Sequence, residues 1–190
     1  DIAEVNTRSI AAEEALRSAL LPASDARFGT APTSGNYDPA NDPKLRYLNP
    51  LSATPNATAF NGLAQQLQTV ARMIQAGRDT LGLRRQVFFV SMGDFDNHDD
   101  QNRRQAANMD RLSHAMNYFN ETLNNLSAQD QVVSFTASDF GRTFTSNGDG
   151  TDHGWGAHQF VMGGSVRGGD LYGTFPTLVA KRSGSNEFDS

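Results

Sequence analysis

The sequence predicts an α/β fold in which helices flank a mostly parallel β-sheet. Two short apolar runs, Val87 to Val90 and Val132 to Phe135, have the character of strands buried on both faces. Two long segments with apolar residues at helical spacing alternate with these runs along the chain. The order helix, strand, helix, strand is typical of βαβ units, and their crossovers are right-handed.

Three helices are predicted from the spacing of apolar residues. The first covers residues 9–21, and Pro22 ends its pattern. The second runs from Thr58 to about Ala76, with Gly77 as its C-terminal stop. The third covers roughly residues 103–127. The second and third helices are the ones expected to cover the sheet.

Two further segments have a weaker strand pattern. The apolar run at 159–162 indicates a third strand, and Leu171 to Val179 is a candidate for one more short strand or turn. A glycine-rich turn lies between them.

The first 56 residues differ in composition from the rest of the chain. Residues 22–56 contain six of the seven prolines. A structureless loop of this length is unusual inside a compact domain. We therefore expect residues 1–56 to form an extended segment with one short helix, which either wraps over a partner surface or forms a lid. Residues 57–190 are expected to belong to the α/β domain.

Composition excludes several classes of protein. The net charge of −5 over 190 residues argues against binding of nucleic acid. The absence of cysteine excludes disulfides, a cysteine nucleophile and thiolate metal ligands. No apolar run reaches the length of about eighteen residues that a membrane span needs. The first residues do not have the pattern of a signal peptide.

The loop after the first apolar run, residues 93–100, is rich in carboxylates. Asp96 and His98 are two positions apart, so in an extended segment both point to the same side and can face one ion. Asp94 is a further candidate ligand. The alternative interpretation is a solvated acidic turn before a helix, where aspartate is favoured.

A second loop follows the next apolar run and contains Asp139, Arg142, Asp152 and His153. Because ligands bind beyond the carboxyl ends of parallel strands, both loops are expected to reach one crevice. Carboxylate and imidazole together indicate a divalent metal site. Histidine favours Zn²⁺, and the oxygen ligands leave Mn²⁺, Mg²⁺ and Ca²⁺ open.

Several residues in the second loop have alternative interpretations. Arg142 could clamp a phosphate or sulfate group, or form an ion pair with Asp139 or Asp152 that holds the loop. Asn147, Asp149 and Thr151 alternate as in calcium loops, and the spacing excludes an EF-hand but leaves a looser calcium loop open. Neither a nucleotide-binding glycine motif nor a nucleophile elbow is present.

Five separated motifs together resemble, in order and spacing, the bacterial family known as domain of unknown function 1501. They are PheAsnGlyLeuAlaGlnGlnLeuGlnThrValAlaArgMetIle at 60–74, ValPhePheValSerMetGlyAspPheAspAsnHis at 87–98, SerAspPheGlyArgThr at 138–143, GlyThrAspHisGlyTrpGly at 150–156 and TyrGlyThrPhePro at 172–176. That family is placed in the alkaline-phosphatase and sulfatase superfamily. The resemblance implies an alkaline-phosphatase-like sheet, of which this chain would form only a part, and export through the twin-arginine route to the periplasm or the exterior.

The resemblance also implies a site and an activity. Superfamily members bind divalent metal ions through Asp and His and hydrolyse phosphate or sulfate esters. The motifs assign metal binding to five residues, namely Asp96, His98, Asp139, Asp152 and His153. Arg142 is the candidate anion clamp. The chain departs from the pattern at Phe140, where an imidazole is usual, and no motif marks a nucleophile.

Two functions follow as hypotheses. The first is an exported metal-dependent hydrolase of phosphate or sulfate esters, with a small anionic ester or a polysaccharide as its substrate. The second is a non-catalytic secreted structural or binding protein, with a structural metal ion or none. The missing nucleophile and the proline-bearing segment favour the second hypothesis. The sequence does not indicate an oligomeric state.

Overall fold

A computed structural model describes residues 2–174 of the chain. These residues form two compact units. The first unit contains the residues up to Met92 together with Asp110–Ser127, and the second contains Gly93–Met109 together with the described residues from Ala128 onward. The candidate site residues all belong to the second unit.

The secondary structure consists of three helices and six short strands within residues 2–174. The helices are α1 (Ile2–Ala19), α2 (Gly62–Asp79) and α3 (Gln101–Asn125). The strands are β1 (Arg46–Leu48), β2 (Thr58–Phe60), β3 (Ser134–Phe135), β4 (Gly141–Ser146), β5 (Thr151–Gly154) and β6 (Val161–Met162). Single 3₁₀ turns cover Pro39–Asn41, Pro43–Leu45 and Gln129–Gln131.

The strands form three separate two-stranded sheets, β1–β2, β3–β6 and β4–β5, and each pair is antiparallel. No parallel sheet exists among residues 2–174. The predicted α/β fold with a mostly parallel, alkaline-phosphatase-like sheet is therefore wrong, as is the predicted right-handed crossover between its strands.

The two apolar runs explain this error. Val87 and Phe89 are 98% and 92% exposed, so only alternate residues of the first run face inward. Val133 and Phe135 of the second run are also exposed, and only two residues of that run pair with another strand. Each run is an extended segment with one apolar face in solvent, whereas a strand of a covered parallel sheet is buried on both faces.

The second predicted helix is confirmed, with different ends. Thr58 to Phe60 form strand β2, and α2 begins at Gly62 because Asn61 caps it. Gly77 does not stop the helix, which continues to Asp79. A Cβ atom at Gly77 would lie 2.5 Å from the side-chain nitrogen of Gln86, so a larger residue here would require the Gln86 side chain to move.

The other two helices are also present. Helix α3 is shifted by two residues at each end from the predicted range of 103–127. Helix α1 begins seven residues before Ser9 and ends before Pro22, and most of its side chains are exposed. The predicted strand at 159–162 is reduced to Val161–Met162. Of the candidate strand or turn at 171–179, residues 175–179 lie outside the described part of the chain.

The apolar core of the first unit lies between α2, α3 and the segment around Leu45. Tyr118 packs there among the buried side chains, and Val90 and Met92 pack against it from the segment after α2. The buried members of this cluster are Leu45, Leu63, Ala64, Ala115 and Tyr118. None of the helices within residues 2–174 combines the length and the apolar character needed to cross a bilayer.

A chain of polar contacts fixes the proline-bearing segment beside this core. The Tyr37 hydroxyl donates to Asp42 Oδ2 at 2.7 Å and accepts from Gln68 Nε2 at 2.7 Å. The Tyr118 hydroxyl donates to the carbonyl of the fully buried Phe28 at 2.6 Å. Burial raises the pKa of Tyr37 to about 12. The phenol therefore stays protonated and keeps its donor role in this network.

Asn61 joins the start of α2 to the middle of α3. Its side chain is completely buried, and its Oδ1 accepts from the backbone nitrogens of Leu63 and Ala64. Its Nδ2 donates to the carbonyl oxygen of Arg111 at 2.7 Å and lies 3.1 Å from His114 Nδ1. One amide therefore caps one helix and ties it to another.

Replacement of Asn61 by Ala should lower the free energy of unfolding by about 2–3 kcal/mol, because it removes the cap and leaves buried backbone groups unpaired. Urea denaturation followed by circular dichroism measures the change. Asn117→Ala, on the exposed face of α3, is the matched control and should cost about 0.5 kcal/mol or less. Equal losses in the two variants would contradict this role for Asn61.

Acid should weaken the first unit through His114. Burial holds the pKa of His114 below its usual value of 6.5, against smaller opposing contributions from Asp110 and the Arg46 backbone. Because the folded-state pKa is the lower one, the unfolded chain binds more protons as the pH falls below 6.5, and stability is lost there. We expect His114→Gln to reduce the loss of unfolding free energy between about pH 7.5 and about pH 5. The control variant His158→Gln should leave the part of this loss that comes from His114 unchanged. Urea midpoints across this range test the expectation, which fails if the His114 variant keeps the parental slope.

Candidate metal centre

The β4–β5 hairpin and the acidic loop at 93–100 form one structure in the second unit. The hairpin pairs Arg142 with His153, and its turn reaches the start of α3. Asp149 accepts from the backbone nitrogens of Asp100 and Gln101, each at 3.1 Å. Gly150 lies against the carbonyl group of His98, where a Cβ atom would overlap with that group. A glycine is therefore needed for the loop to reach the hairpin.

Asp96, His98 and His153 form the centre of this structure. Asp96 Oδ1 lies 2.7 Å from His98 Nε2 and 2.7 Å from His153 Nε2. The three residues each offer a ligand atom, and these atoms all lie within 4.8 Å of one another. Their side chains are 45–60% exposed, so solvent and solutes reach the group directly. The loop supplies Asp96 and His98, and the hairpin supplies His153.

Asp152 lies on the opposite side of His98. Its Oδ1 is 3.2 Å from His98 Nδ1 and accepts from Asn147 Nδ2 at 3.1 Å. The same Asn147 nitrogen donates to the carbonyl oxygen of His98 at 3.1 Å. The backbone nitrogen of Asp152 donates to Thr143 Oγ1 at 3.1 Å. Asn147 and Asp152 together fix the orientation of the His98 ring.

This geometry places His98 between two carboxylates, with Nδ1 toward Asp152 and Nε2 toward Asp96. A neutral imidazole has one N–H group, so it can donate to only one of them. Donation to Asp152 leaves the lone pair of Nε2 facing Asp96 Oδ1. Either a second proton or a cation then satisfies both atoms. A histidine oriented by a carboxylate, with its other nitrogen toward the ion, is the usual arrangement at protein metal sites.

Aromatic contacts hold the His153 ring. The Phe140 ring stacks on it with centroids 3.9 Å apart and planes 2° apart. The His98 ring stacks on it less closely, at 5.0 Å and 24°. Phe140 occupies the position where the family resemblance led us to expect an imidazole. In this structure its ring restricts rotation of His153 and supplies no ligand atom.

Arg142 lies beside the group and contacts the backbone of the acidic loop and of the hairpin. Its Nη1 donates to the Thr151 carbonyl at 2.9 Å, and its Nη2 donates to the Phe95 carbonyl at 2.5 Å. Nη2 is also 3.8 Å from Asp96 Oδ1. The side chain is 18% exposed. Arg142 therefore joins the acidic loop to the hairpin and contributes a positive charge near the carboxylate.

The electrostatics favour ionised carboxylates at this site. The contact with His153 is the main cause that lowers the pKa of Asp96, and the charges of His98 and Arg142 act in the same direction. The hydrogen bond from Asn147 is the main cause that lowers the pKa of Asp152, followed by the contact with His98. Both side chains are therefore negative at neutral pH, as metal ligands and orienting groups need to be.

Other candidates from the sequence lie outside the group. Asp139 is exposed and is not a member of it. Asp94 has a left-handed backbone with φ of 74°, and its carbonyl accepts from Asn108 Nδ2. The oxygen-rich stretch considered for calcium uses its side chains internally, since Asn147 contacts Asp152 and Asp149 caps the start of α3.

Two residues that matter to the geometry are not assigned to the site by the sequence. Asn147 stands out there only as part of a calcium-like loop, and Phe140 only as a departure from the family pattern. The spacing of Asn147, five residues before Asp152 across a glycine-rich turn, was the available signal. The stacking of Phe140 on His153 had no signal of its own, because it depends on the hairpin register.

Comparison with known proteins identifies a family and nothing closer. The model of a family described as a protein of unknown function, DUF1501, matches residues 32–186 and hence most of the chain. No curated protein and no solved structure matches the chain.

Gly150→Ala should open the contact between the acidic loop and the hairpin, because the new methyl group would overlap with the His98 carbonyl. Overpacking of this kind costs about 1–3 kcal/mol. We expect faster amide hydrogen exchange in β4 and β5, measured by mass spectrometry. Gly168→Ala is the control, since nothing lies within 4 Å of the position that a Cβ atom would take there. Unchanged exchange in the Gly150 variant would show that the loop does not depend on this contact.

Proposed function

We propose a function from the chemistry of the site, since the chain belongs to DUF1501, a family of proteins of unknown function. The proposal is that Asp96, His98 and His153 bind one divalent transition-metal ion. The protein would then be a metal-dependent hydrolase of phosphate or sulfate esters. The observation that supports the proposal most is the contact of one carboxylate oxygen with two imidazole nitrogens at 2.7 Å.

The donor set suits such an ion. Two imidazoles and one carboxylate are ligands for Zn²⁺ and other divalent first-row metals, and three protein ligands leave positions open for solvent or substrate. The alternative without a metal ion needs protons on the nitrogens that face Asp96. A cation shared by the three atoms would replace those protons and relieve the need for a charged imidazole.

The neighbouring residues would prepare the site in separate ways. Asp152, held by Asn147, would keep the Nδ1 proton of His98 and direct Nε2 toward the ion. Phe140 would hold the plane of His153. Arg142 would keep the acidic loop against the hairpin. A bound divalent ion supplies a Lewis acid that polarises an ester oxygen and makes nearby water more acidic.

The exposure of the site bears on the substrate. Because the side chains of the site are about half exposed, the site can accept either a small molecule or the end group of a large molecule. An anionic phosphate or sulfate ester, free or on a polysaccharide, is the class we propose. The Arg142 guanidinium lies 3.8 Å from Asp96 Oδ1 and could add attraction for the anion, although two of its nitrogens already bind backbone carbonyls. The nucleophile is unassigned.

Two parts of the proposal rest on sequence motifs alone. These are the relation to the alkaline-phosphatase and sulfatase superfamily and export to the periplasm or the exterior. The antiparallel sheets do not support an alkaline-phosphatase-like fold. The hydrolase proposal therefore depends on the site alone, and a site that binds no metal ion would contradict it.

A specific observation favours a second candidate function, that of a non-catalytic secreted structural or binding protein. The same side chains that could bind an ion also hold the acidic loop on the hairpin, through Asp96–His153 and His98–Asp152. In that case the group would stabilise a fold or a binding surface, with a metal ion in a structural role or none. Ester cleavage separates this function from the first.

His153→Ala should abolish binding of one equivalent of metal and reduce ester cleavage at least about a hundredfold, the usual scale for losing a catalytic group. Metal content by elemental analysis and affinity by calorimetry with Zn²⁺ and Mn²⁺ measure the first effect. Release of nitrophenol from nitrophenyl phosphate and nitrophenyl sulfate measures the second.

His158→Ala is the matched control, because His158 is an exposed histidine of the same unit outside the group. This variant should keep the metal and the activity. Circular dichroism establishes that both variants fold. Binding of metal by the parent protein without cleavage of either ester would favour the structural or binding function. Equal metal binding by the two variants would contradict the assigned ligands.

A further inference from the structure

The segment that follows α2 has the features of an unpaired edge strand. From Gln86 to Ser91 the side chains alternate between the interior and solvent. Val90 packs against the core of the first unit, as does Met92 just beyond, while Val87 and Phe89 are 98% and 92% exposed. This alternation is the period-two pattern of a β-strand with one buried face. No strand of the described residues pairs with it.

One edge of this segment is partly closed by a side chain. Gln66 on α2 accepts from the backbone nitrogen of Ser91 at 3.0 Å and donates to its carbonyl oxygen at 2.8 Å. In an extended chain the N–H and C=O groups of one residue point to the same edge, and those of the next residue point to the other. Gln66 therefore takes the position of a partner strand on the edge to which Ser91 points.

The opposite edge has no backbone hydrogen-bond partner among residues 2–174. The backbone groups of Gln86, Phe88 and Val90 point to that edge, and they make no backbone hydrogen bond within residues 2–174. A row of unpaired backbone groups beside exposed apolar side chains is a template for pairing with another strand. The segment contains no proline or lysine that would block such pairing.

The charges at the two ends of the segment differ in sign. Arg84 and Arg85 precede it, and both are exposed. Asp94 follows it. If two copies of this segment lay antiparallel, the basic end of each would meet the acidic end of the other. A parallel arrangement would bring like charges together, which is unfavourable.

We propose that the open edge of residues 86–91 pairs antiparallel with the same edge of a second copy of this chain. Charge matching sets the register, because Arg84 lies opposite Asp94 when Phe89 lies opposite Phe89. The two Phe89 rings then form a cross-strand aromatic pair on the exposed face, which adds stability beyond the backbone bonds. This inference is independent of the metal site and of the proposed hydrolase activity.

The absence of native cysteine allows a direct test. Phe89→Cys in a homodimer of this register places two thiols opposite each other, within the distance that a disulfide spans. Under mild oxidation we expect this variant to form a disulfide-linked dimer about tenfold faster or more than a control, because pairing raises the effective thiol concentration. Leu48→Cys is the control, since Leu48 is a 60% exposed residue of strand β1, which already has a partner.

Sedimentation velocity over a range of concentrations tests the pairing without oxidation. The parent protein should show a concentration-dependent dimer, and Phe89→Lys should remain monomeric because two like charges would then face each other. Leu48→Lys should dimerise like the parent. A parent protein that stays monomeric at high concentration overturns the proposal. Equal oxidation rates of the two cysteine variants would also overturn it. Slow hydrogen exchange at 86–91 in the monomer would overturn it as well, because it would mean that this chain covers its own edge.

Discussion

Polar contacts hold the acidic loop of the second unit against the β4–β5 hairpin, and the carboxylate of Asp96 is central among them. One of its oxygens lies 2.7 Å from imidazole nitrogens of His98 and His153, and so joins the acidic loop to the β4–β5 hairpin. Apolar packing contributes little there. Among the described residues of this unit, the buried apolar side chains are Ala107 and Ala128. Charged and polar contacts must therefore hold the loop, and any cation at this oxygen would act on stability and on chemistry at once.

The first unit is built in the opposite way. Its helices bury a continuous apolar cluster, and buried polar groups beside it, such as those of Asn61 and Tyr118, are paired by hydrogen bonds. Such contacts specify how the proline-bearing segment and the helices fit together, because an unpaired buried group is costly. The long loop that composition suggested is fixed by Phe28 and Leu45, which are completely buried. Proline content alone did not indicate which of its residues would anchor it.

Helices could be predicted from the sequence and sheet pairing could not. The apolar spacing of α2 and α3 places one face of each helix against a core, and this local pattern decides their existence. The apolar runs at Val87 and Val132 carry no comparable information, since a continuous run fits a covered strand or an extended segment with one exposed face. Only the exposure of Val87, Phe89 and Phe135 distinguishes the two, and exposure depends on residues distant in the chain.

The same limit applies to the site. Asp96, His98 and His153 come together in the structure although the sheet that was expected to unite them is absent from the described residues. Their residue types indicated a metal site, and the contacts between the acidic loop and the hairpin bring them together. Asp139 shows the converse, because the motif at the end of a predicted strand assigns it to the site, and it lies outside the group. The contact of Asn147 with Asp152 had only its spacing across a glycine-rich turn as a signal, and the stacking of Phe140 on His153 had none.

The central claim is that Asp96, His98 and His153 are ligands of one divalent ion. Anomalous X-ray diffraction from crystals grown with Zn²⁺, collected on both sides of the zinc absorption edge, tests it most directly. The account predicts one strong anomalous peak about 2.0–2.2 Å from an oxygen of Asp96 and from a nitrogen of each histidine. A map without a peak at these three residues, or with zinc bound only elsewhere, would contradict it.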